Sequence, residues 1–503
     1  MRTDKDARKV MVTYALCALA LSEVINLNIV SVALPNLMGA LGANIDNISL
    51  TMTSYMVAAA ICMPLSGMVI NKFGMKRVAL IAIIIFTLFT ILCGTATNLL
   101  QMVIYRTLQG VGGAFFPAMA QAYIVNNFHE EMRQKMMTIL TAMLVSGVVV
   151  GPSFGGFLVQ NMSWSWIFYV NLPLLIFAFI IIFFWMEETI KQTIKIDYIS
   201  FGFMAFGIGG LELFLDEGNT YMWFQSLPLT IVFAAAILFL IYFAWRAITT
   251  SSVINFRVFR DKNFSLSCVF LFFFYLVANA FMTYSPIVLQ TVWGYQIDTA
   301  GYLLIPRGAL CFIFAPLMLK ILKKVDSRLI MIFACLAVAL CTGMFCYINT
   351  TPDLVILFLS EVLIAFASIA FMGTVYTTAY LKMPKELTND AAGVFNFFRT
   401  FGGSVGASIT ATIVTINQQV SWHDLIGHIN HYNHVFKYVI TSIRDKISVH
   451  DLLITTSWAI AKQANLLAFI SVFVIFTILA LMLAIVPLFM DALPRNQKIE
   501  FGE

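Results

Sequence analysis

The chain has 503 residues, of which 11% are charged, less than half the share of about 25% that wets an ordinary soluble domain. Apolar and aromatic residues make up 60%, mean hydropathy is +0.89, and long apolar runs recur from Val10 to Met490. The whole chain therefore reads as embedded in a membrane, and a soluble enzyme is excluded. A net charge of +5 does not mark a nucleic-acid surface either, because the basic residues sit in short clusters between apolar runs and not along one stripe.

Met1 to Lys9 is too charged, and the run after it too long, for a cleaved signal peptide, so that run is expected to stay as a first span. Cutting at charge, Pro and Asn/Gly clusters with about 20 residues per crossing gives fourteen expected spans. They lie at 10–34, 50–71, 78–98, 100–123, 136–158, 164–186, 198–216, 227–245, 264–289, 300–319, 329–348, 353–381, 391–415 and 464–487. Of the Lys and Arg between spans, 23 fall on the side of the two termini and four on the other, which sets both termini in the cytoplasm. Spans 7 and 8 sit centrally, so their removal leaves six plus six, the count expected of two helical repeats around a midplane site. The expected divisions are a cytoplasmic N-terminus (1–9), an N-terminal six-helix bundle (10–186), spans 7 and 8 with their loops (187–263), a C-terminal bundle (264–487) containing an outside loop (416–463), and a cytoplasmic tail (488–503).

Three motifs carry mechanism. Between spans 2 and 3, Gly67-x3-Asn71-Lys72-x-Gly74-x-Lys76-Arg77 is a tight basic turn whose glycines allow close approach and positive φ, and whose cations can face helix C-termini. Span 4 carries Arg106-x-x-Gln109-Gly110-x-Gly112-Gly113, and a guanidinium in an apolar helix needs a partner or an aqueous cavity. In span 5, Gly147-x3-Gly151-Pro152-x-x-Gly155-Gly156 combines a small-residue packing stripe with a proline that removes a backbone hydrogen bond. A helix of that kind can bend and slide against a neighbour. No GxxxxGK[ST] loop occurs, so the energy for transport is expected from a gradient and no cofactor is implied.

In this order and on these spans, the motifs resemble those of the major facilitator superfamily, and the span 5 pattern resembles its antiporter motif. More narrowly, the chain resembles the fourteen-span drug/proton exchangers of the EmrB/QacA type. The matches are Ile29 to Pro35 ending span 1, Trp164-Ser165-Trp166-Ile167-Phe168 with Asn171-Leu172-Pro173 in span 6, Leu215-Asp216-x-Gly218 with Trp223-Phe224 after span 7, and Asn396-x-x-Arg399-Thr400-x-Gly402-Gly403 in span 13. The resemblance implies an all-α membrane protein of the facilitator fold, two six-helix bundles with spans 7 and 8 packed outside them. It implies proton-driven export of small hydrophobic or amphipathic toxic compounds across a bacterial inner membrane. It also implies a periplasmic adaptor and an outer-membrane channel as partners where the host has two membranes. The sequence departs from the branch at Asn26, Asn71 and Ser165, where Asp, Asp and Arg are usual.

Few acids lie within apolar runs. Glu23, on the same helix face as Asn26 and about one turn deeper, is the expected proton carrier, with Arg106 as its antagonist. Glu361 in span 12 is a further candidate acid of the cavity, and Arg307 in span 10 a candidate partner for any of these. Glu212 and Asp216 read as a solvated outer end of span 7. His423, His428, His431 and His434 match no standard ligand spacing, and the eight cysteines lie in apolar runs as packing residues, so no metal site is expected. Two other readings stay open: an exporter of a specific metabolite, lipid or siderophore, and a transport-inactive scaffold or receptor on the same frame. Cysteines placed between Trp422 and Lys462 should react with a membrane-impermeant maleimide in intact spheroplasts; protection there with labelling only after lysis would reverse the topology.

Overall fold

The computed structural model describes residues 2–43, 48–188, 197–249, 254–322, 324–427, 429 and 449–490. Among them there is no strand, and the helices succeed one another as the spans require. Span 1 is Arg2–Leu41. Span 2 is a pair, Leu50–Cys62 and Ser66–Phe73, bent by 58°. Met75–Gly94 forms span 3, Leu99–Gly113 with Phe115–Asn127 span 4, Glu130–Asn161 span 5, and Trp166–Tyr169 with Leu172–Trp185 span 6. Tyr198–Glu217 and Leu227–Thr249 are spans 7 and 8. Lys262–Thr291, Ile297–Leu322, Ser327–Phe345, Leu354–Ala379, Thr388–Gly427 and Val449–Leu483 are spans 9 to 14.

By length and apolarity alone, ten helices qualify as membrane-crossing, or twelve when each of two bent pairs counts as one. The helices expected as spans 4 and 13 do not pass that test. Span 4 is broken at Ala114, and the two carry the buried polar groups Arg106, Gln109, Asn396 and Arg399. Interior helices that answer a cavity must be less apolar than those that face lipid. Span 8 is the opposite extreme: 17% of its apolar stretch is buried, and Leu238, Ile241 and Trp245 are exposed as a lipid-facing helix requires.

Acids that fall outside the apolar runs largely cap helices. Asp197, Asp261, Asp326 and Asp353 each accept hydrogen bonds from backbone N–H groups in the first turn of spans 7, 9, 11 and 12. Asp197 also receives Arg246 Nε at 2.9 Å and Nη2 at 3.1 Å, tying the start of span 7 to the end of span 8. That guanidinium, with the Ser200 hydroxyl, holds the Asp197 carboxyl well below the usual carboxylate range.

The loop between spans 13 and 14 is shorter than the sequence suggests. Span 13 stays helical to Gly427 and span 14 begins at Val449, so both extend beyond their expected limits of 415 and 464. His423 lies on the span 13 extension, whereas His428, His431 and His434 lie outside the described residues.

The two bundles touch on the face that carries the basic turn after span 2, here the basic face. Span 4 meets span 13 where Asn396 Nδ2 donates to Gln121 Oε1 at 2.5 Å and Gln121 Nε2 donates to the Tyr380 hydroxyl at 2.8 Å. Span 5 lies along span 1 within its own bundle and along span 10 across the interface. Its axis bends by 42° between Met132–Val148 and Val150–Asn161, where Pro152 cannot donate to the carbonyl of residue 148. At Gly151 a Cβ would meet Asn28 Cβ at 3.0 Å and the Ile29 backbone at 3.2 Å, so only glycine allows the span 1 contact at the bend. Gly151→Leu with Pro152→Ala should overpack that contact by about 1–3 kcal/mol and straighten the helix. The expected result is a stably inserted protein whose transport falls roughly tenfold or more, at one decade per 1.4 kcal/mol; normal transport by the double variant would refute the hinge.

Candidate functional site

Between the bundles lies a cavity of about 340 Å³. Glu23, Tyr275 and Arg399 line it at mid-depth, and Leu34, Ser49 and Asp216 carry it toward the face opposite the basic turn. Its apolar wall includes Met52, Met56, Phe274 and Met282. Methionine and phenylalanine give an adaptable surface that fits many shapes.

Glu23 is 1% exposed, and neither of its carboxylate oxygens has a hydrogen-bond partner. The cation that acts on it is Arg399 of span 13. Arg106, the expected antagonist, forms no ion pair among the described residues. Its Nε donates to the Thr51 carbonyl at 3.0 Å and its Nη1 to Gln109 Oε1 at 2.9 Å, while Gln109 Nε2 donates to Thr90 Oγ1 at 2.7 Å. The guanidinium also stacks 4.4 Å over the Tyr55 ring. Arg106 is thus held by neutral groups of spans 2, 3 and 4 and not by an acid. Asn26 is buried and does not line the cavity.

Glu361 and Arg307 answer each other. Arg307 Nε donates to Glu361 Oε2 at 2.5 Å and Nη2 to Oε1 at 2.8 Å, and Nη2 also reaches Ser285 Oγ at 3.0 Å. Both side chains are 1% exposed. Neither lines the central cavity, so the expectation of a cavity acid at Glu361 is replaced by a bidentate pair within the C-terminal bundle. Removing one partner of such a pair costs about 3–5 kcal/mol.

The reading of Glu212 and Asp216 as a solvated end is also overturned. Glu212 is 1% exposed and accepts from Ser404 Oγ at 2.5 Å, and Asp216 lines the cavity. Only contact with span 13 reveals this, since span 7 alone shows three acids near a helix end. Arg399 follows the span 13 motif inward, Asn396 holds Gln121, and Gly402 and Gly403 lie against Phe272 and Asn279 of span 9. On span 5, Gly147 and Gly155 face Val24 and Ile29, so with Gly151 the stripe follows span 1 past Glu23; Gly156 is buried beside it.

At the basic turn, Gly74 takes φ of +88°, as its place between two helices requires. A Cβ at Gly67 would fall on the backbone of Asp390. Asn71 Nδ2 donates to Asp390 Oδ1 at 3.4 Å, Asn255 Nδ2 donates to Oδ2 at 3.5 Å, and Asn389 Nδ2 donates to Asn71 Oδ1 at 2.5 Å. Asp390 thus places a carboxylate on the far side of the contact in which Asn71 stands where an acid is usual. Lys72 leans over Phe73 and Arg77 meets Glu188 at 3.3 Å on the exposed rim. Lys76 is part of the same rim.

A helical membrane carrier, with one central cavity and bundles in contact at one face, is the class this fold and site define. A model described as the Major Facilitator Superfamily matches residues 16–407, and the chain belongs to that superfamily. Its members are transporters and not enzymes. Among curated relatives, the probable multidrug resistance protein EmrY of Escherichia coli strain K12 is 28% identical over 434 residues, 84% of each chain. The multidrug export protein EmrB of the same strain is 28% identical, covering 85% of this chain and 84% of its own. The fatty acid resistance protein FarB of Neisseria gonorrhoeae is 28% identical over 85% of each. Among solved structures, the human organic anion transporter MFSD10 superposes with a TM-score of 0.60 at 12% identity, covering 94% of this chain and 99% of that chain, a likeness of fold alone.

Burial lifts the Asp390 carboxyl to about 6, against a lowering contribution from the Asn255 hydrogen bond. When the basic face opens and water reaches this group, it returns toward the ordinary value near 4. Its protonation therefore favours closure, an effect fully present below about 4 and lost as pH rises through about 6. Spin labels at Lys72 and Glu386 should report a larger closed fraction at acid pH, and Asp390→Asn should flatten that profile. An unchanged profile in the variant would remove Asp390 as the sensor.

Proposed function

We propose that the protein exports hydrophobic and amphipathic toxic compounds in exchange for protons, with Glu23 as the proton carrier. The observation that carries this reading is a buried carboxylate with two unpartnered oxygens on the wall of an apolar, Met- and Phe-rich cavity. An ionised carboxylate at that depth is expensive, so the group is stable either protonated or facing a cation, and Arg399 on the facing bundle is that cation. The basic face is the cytoplasmic one on the basic-residue count, and the cavity reaches the outside of a bacterial inner membrane.

In the cycle, Glu23 takes a proton from the outside-facing cavity, and loss of its charge weakens its attraction for Arg399. The bundles rock, the basic face opens, and the Gly67–Asp390 contact parts. Proton release inward restores the carboxylate, substrate binds, and the cavity turns outward again. Arg106, Tyr55 and Asn26 act as positioning residues that hold the back of the Glu23 helix. One elementary charge moved through 100 mV supplies about 2.3 kcal/mol, roughly a fifty-fold gradient at 1.4 kcal/mol per decade; exchange of one proton for a monovalent cation is electroneutral and draws on the pH difference alone. EmrB and EmrY are named for multidrug export and resistance, which supports this substrate class. An adaptor partner is part of the same reading: the helical extensions of spans 13 and 14 expose Ile416, Val420, Ile426 and Trp458 on the outer side.

A second reading, export of a particular amphipathic acid, is favoured by Arg399 as a cation on the cavity wall. Glu23→Gln keeps shape and hydrogen bonding but cannot titrate. In proteoliposomes it should abolish uphill, pH-driven export while leaving insertion and downhill exchange. Normal pumping by Glu23→Gln across the pH range would end the assignment, and competition by long-chain carboxylates but not by cations would favour the second reading.

A further inference from the structure

Near its outer end, span 7 carries Glu212, Asp216 and Glu217 within little more than one turn. Glu212 is 1% and Glu217 4% exposed. Ser404 of span 13 donates to Glu212 Oε1, while Glu212 Oε2 is buried with no hydrogen-bond partner. Asp216 lines the central cavity, faces the hydroxyls of Thr53 on span 2 and Ser408 on span 13, and leaves its Oδ2 unpartnered. Ser49 of span 2 donates to Glu217 at 3.4 Å.

The groups that face these acids from the packed elements are nearly all neutral. Span 2 supplies Ser49, Thr53 and, deeper, Tyr55; span 13 supplies Ser404, Ser408 and, more than one turn deeper, Arg399; Glu23 shares the cavity. Span 8 has its charged Arg246 at the other end of the helix, bonded to Asp197. Among the described residues no ion pair involves Glu212, Asp216 or Glu217. Two carboxylates one turn apart on one helix face, Glu212 buried and Asp216 half-buried on the cavity wall, repel when both are charged. The hydroxyls can donate to one anion but cannot neutralise two.

We infer that the Glu212–Asp216 pair is a second proton-binding site, loaded from the outer end of the cavity through Asp216. Protonation takes H⁺ from cavity water and turns one carboxylate into a neutral carboxylic acid; the remaining charge is met by the Ser404, Ser408 and Thr53 hydroxyls. These donors belong to spans 2 and 13, which lie in different bundles, so motion of one bundle against the other alters the site's donor set. Span 7 is then part of the coupling machinery and not only a helix packed outside it, and each cycle carries a proton there besides the one on Glu23. This inference rests on the proton-coupled reading for its role in transport, although the site itself can be tested without a substrate.

The test is infrared difference spectroscopy of the full chain in lipid nanodiscs, following the C=O stretch of protonated carboxyls as pH is stepped. Beside the Asp390 band, which Asp390→Asn removes, wild type should show two titrating bands, unchanged when sodium chloride is replaced by choline chloride. Glu23→Gln should remove one band, and Glu212→Gln with Asp216→Asn the other. Ser404→Ala keeps all three acids and should shift the second band by removing its donor, which serves if the double variant folds poorly. A band that survives the double variant, is absent from wild type, ignores Ser404→Ala or vanishes only in sodium would overturn the site. Loss of the first band's assignment to Glu23, with the second intact, would instead count against the carrier proposed above.

Discussion

A charge removed from water into a lipid-embedded bundle must find its answer inside the protein, and the arrangement of the helices follows from how each charge is answered. Arg307 and Glu361 satisfy one another by two hydrogen bonds. Arg106 meets a backbone carbonyl, a glutamine and an aromatic ring, with its Nη2 left without a hydrogen-bond partner. Such groups hold the bundles rigid because moving either partner leaves a buried ion uncompensated. Among the described carboxylates, Glu23, Glu212 and Asp216 each have at least one buried oxygen lacking a partner. All the chemistry assigned to the chain gathers around these three.

The two ends of the interface are built differently for a related reason. At the basic face the bundles are joined by neutral Asn, Gln and Tyr side chains across spans 2, 4, 12 and 13. A neutral hydrogen bond contributes a net of only about 0.5–1.5 kcal/mol, so a handful of them closes a face that can still open. Asp390 adds a pH-dependent member to that set. Glycine at position 67 allows the backbones to meet there, while glycine and proline in span 5 allow a bent helix to pack closely along span 1.

Spans 7 and 8 illustrate how one helical pair serves two solvents. Span 8 turns nearly all of its surface to lipid. Span 7 turns its small residues and its acids inward, with Gly209 against Val57 and Ile61 of span 2 and Glu212 against Ser404 of span 13. A pair inserted between two bundles can thus be peripheral in outline and still reach the cavity.

The order of the helices, the face on which the basic residues gather and the helix-bending motif of span 5 are properties of local composition, and the sequence alone determined them because apolar length, lysine distribution and proline act without reference to distant residues. The same is true of Glu23, whose depth in an apolar run marks it as costly wherever the helix packs. The partners of the buried charges were decided by tertiary structure. Arg307 meets Glu361 across 54 residues, Ser404 meets Glu212 across 192, and Asn71 meets Asp390 across 319. Spacing along one helix brings a residue to a face but cannot say which helix faces it. Arg106 was therefore given neutral partners, and Glu212 was drawn out of solvent against Ser404, by packing between segments whose sequences carry no mark of one another.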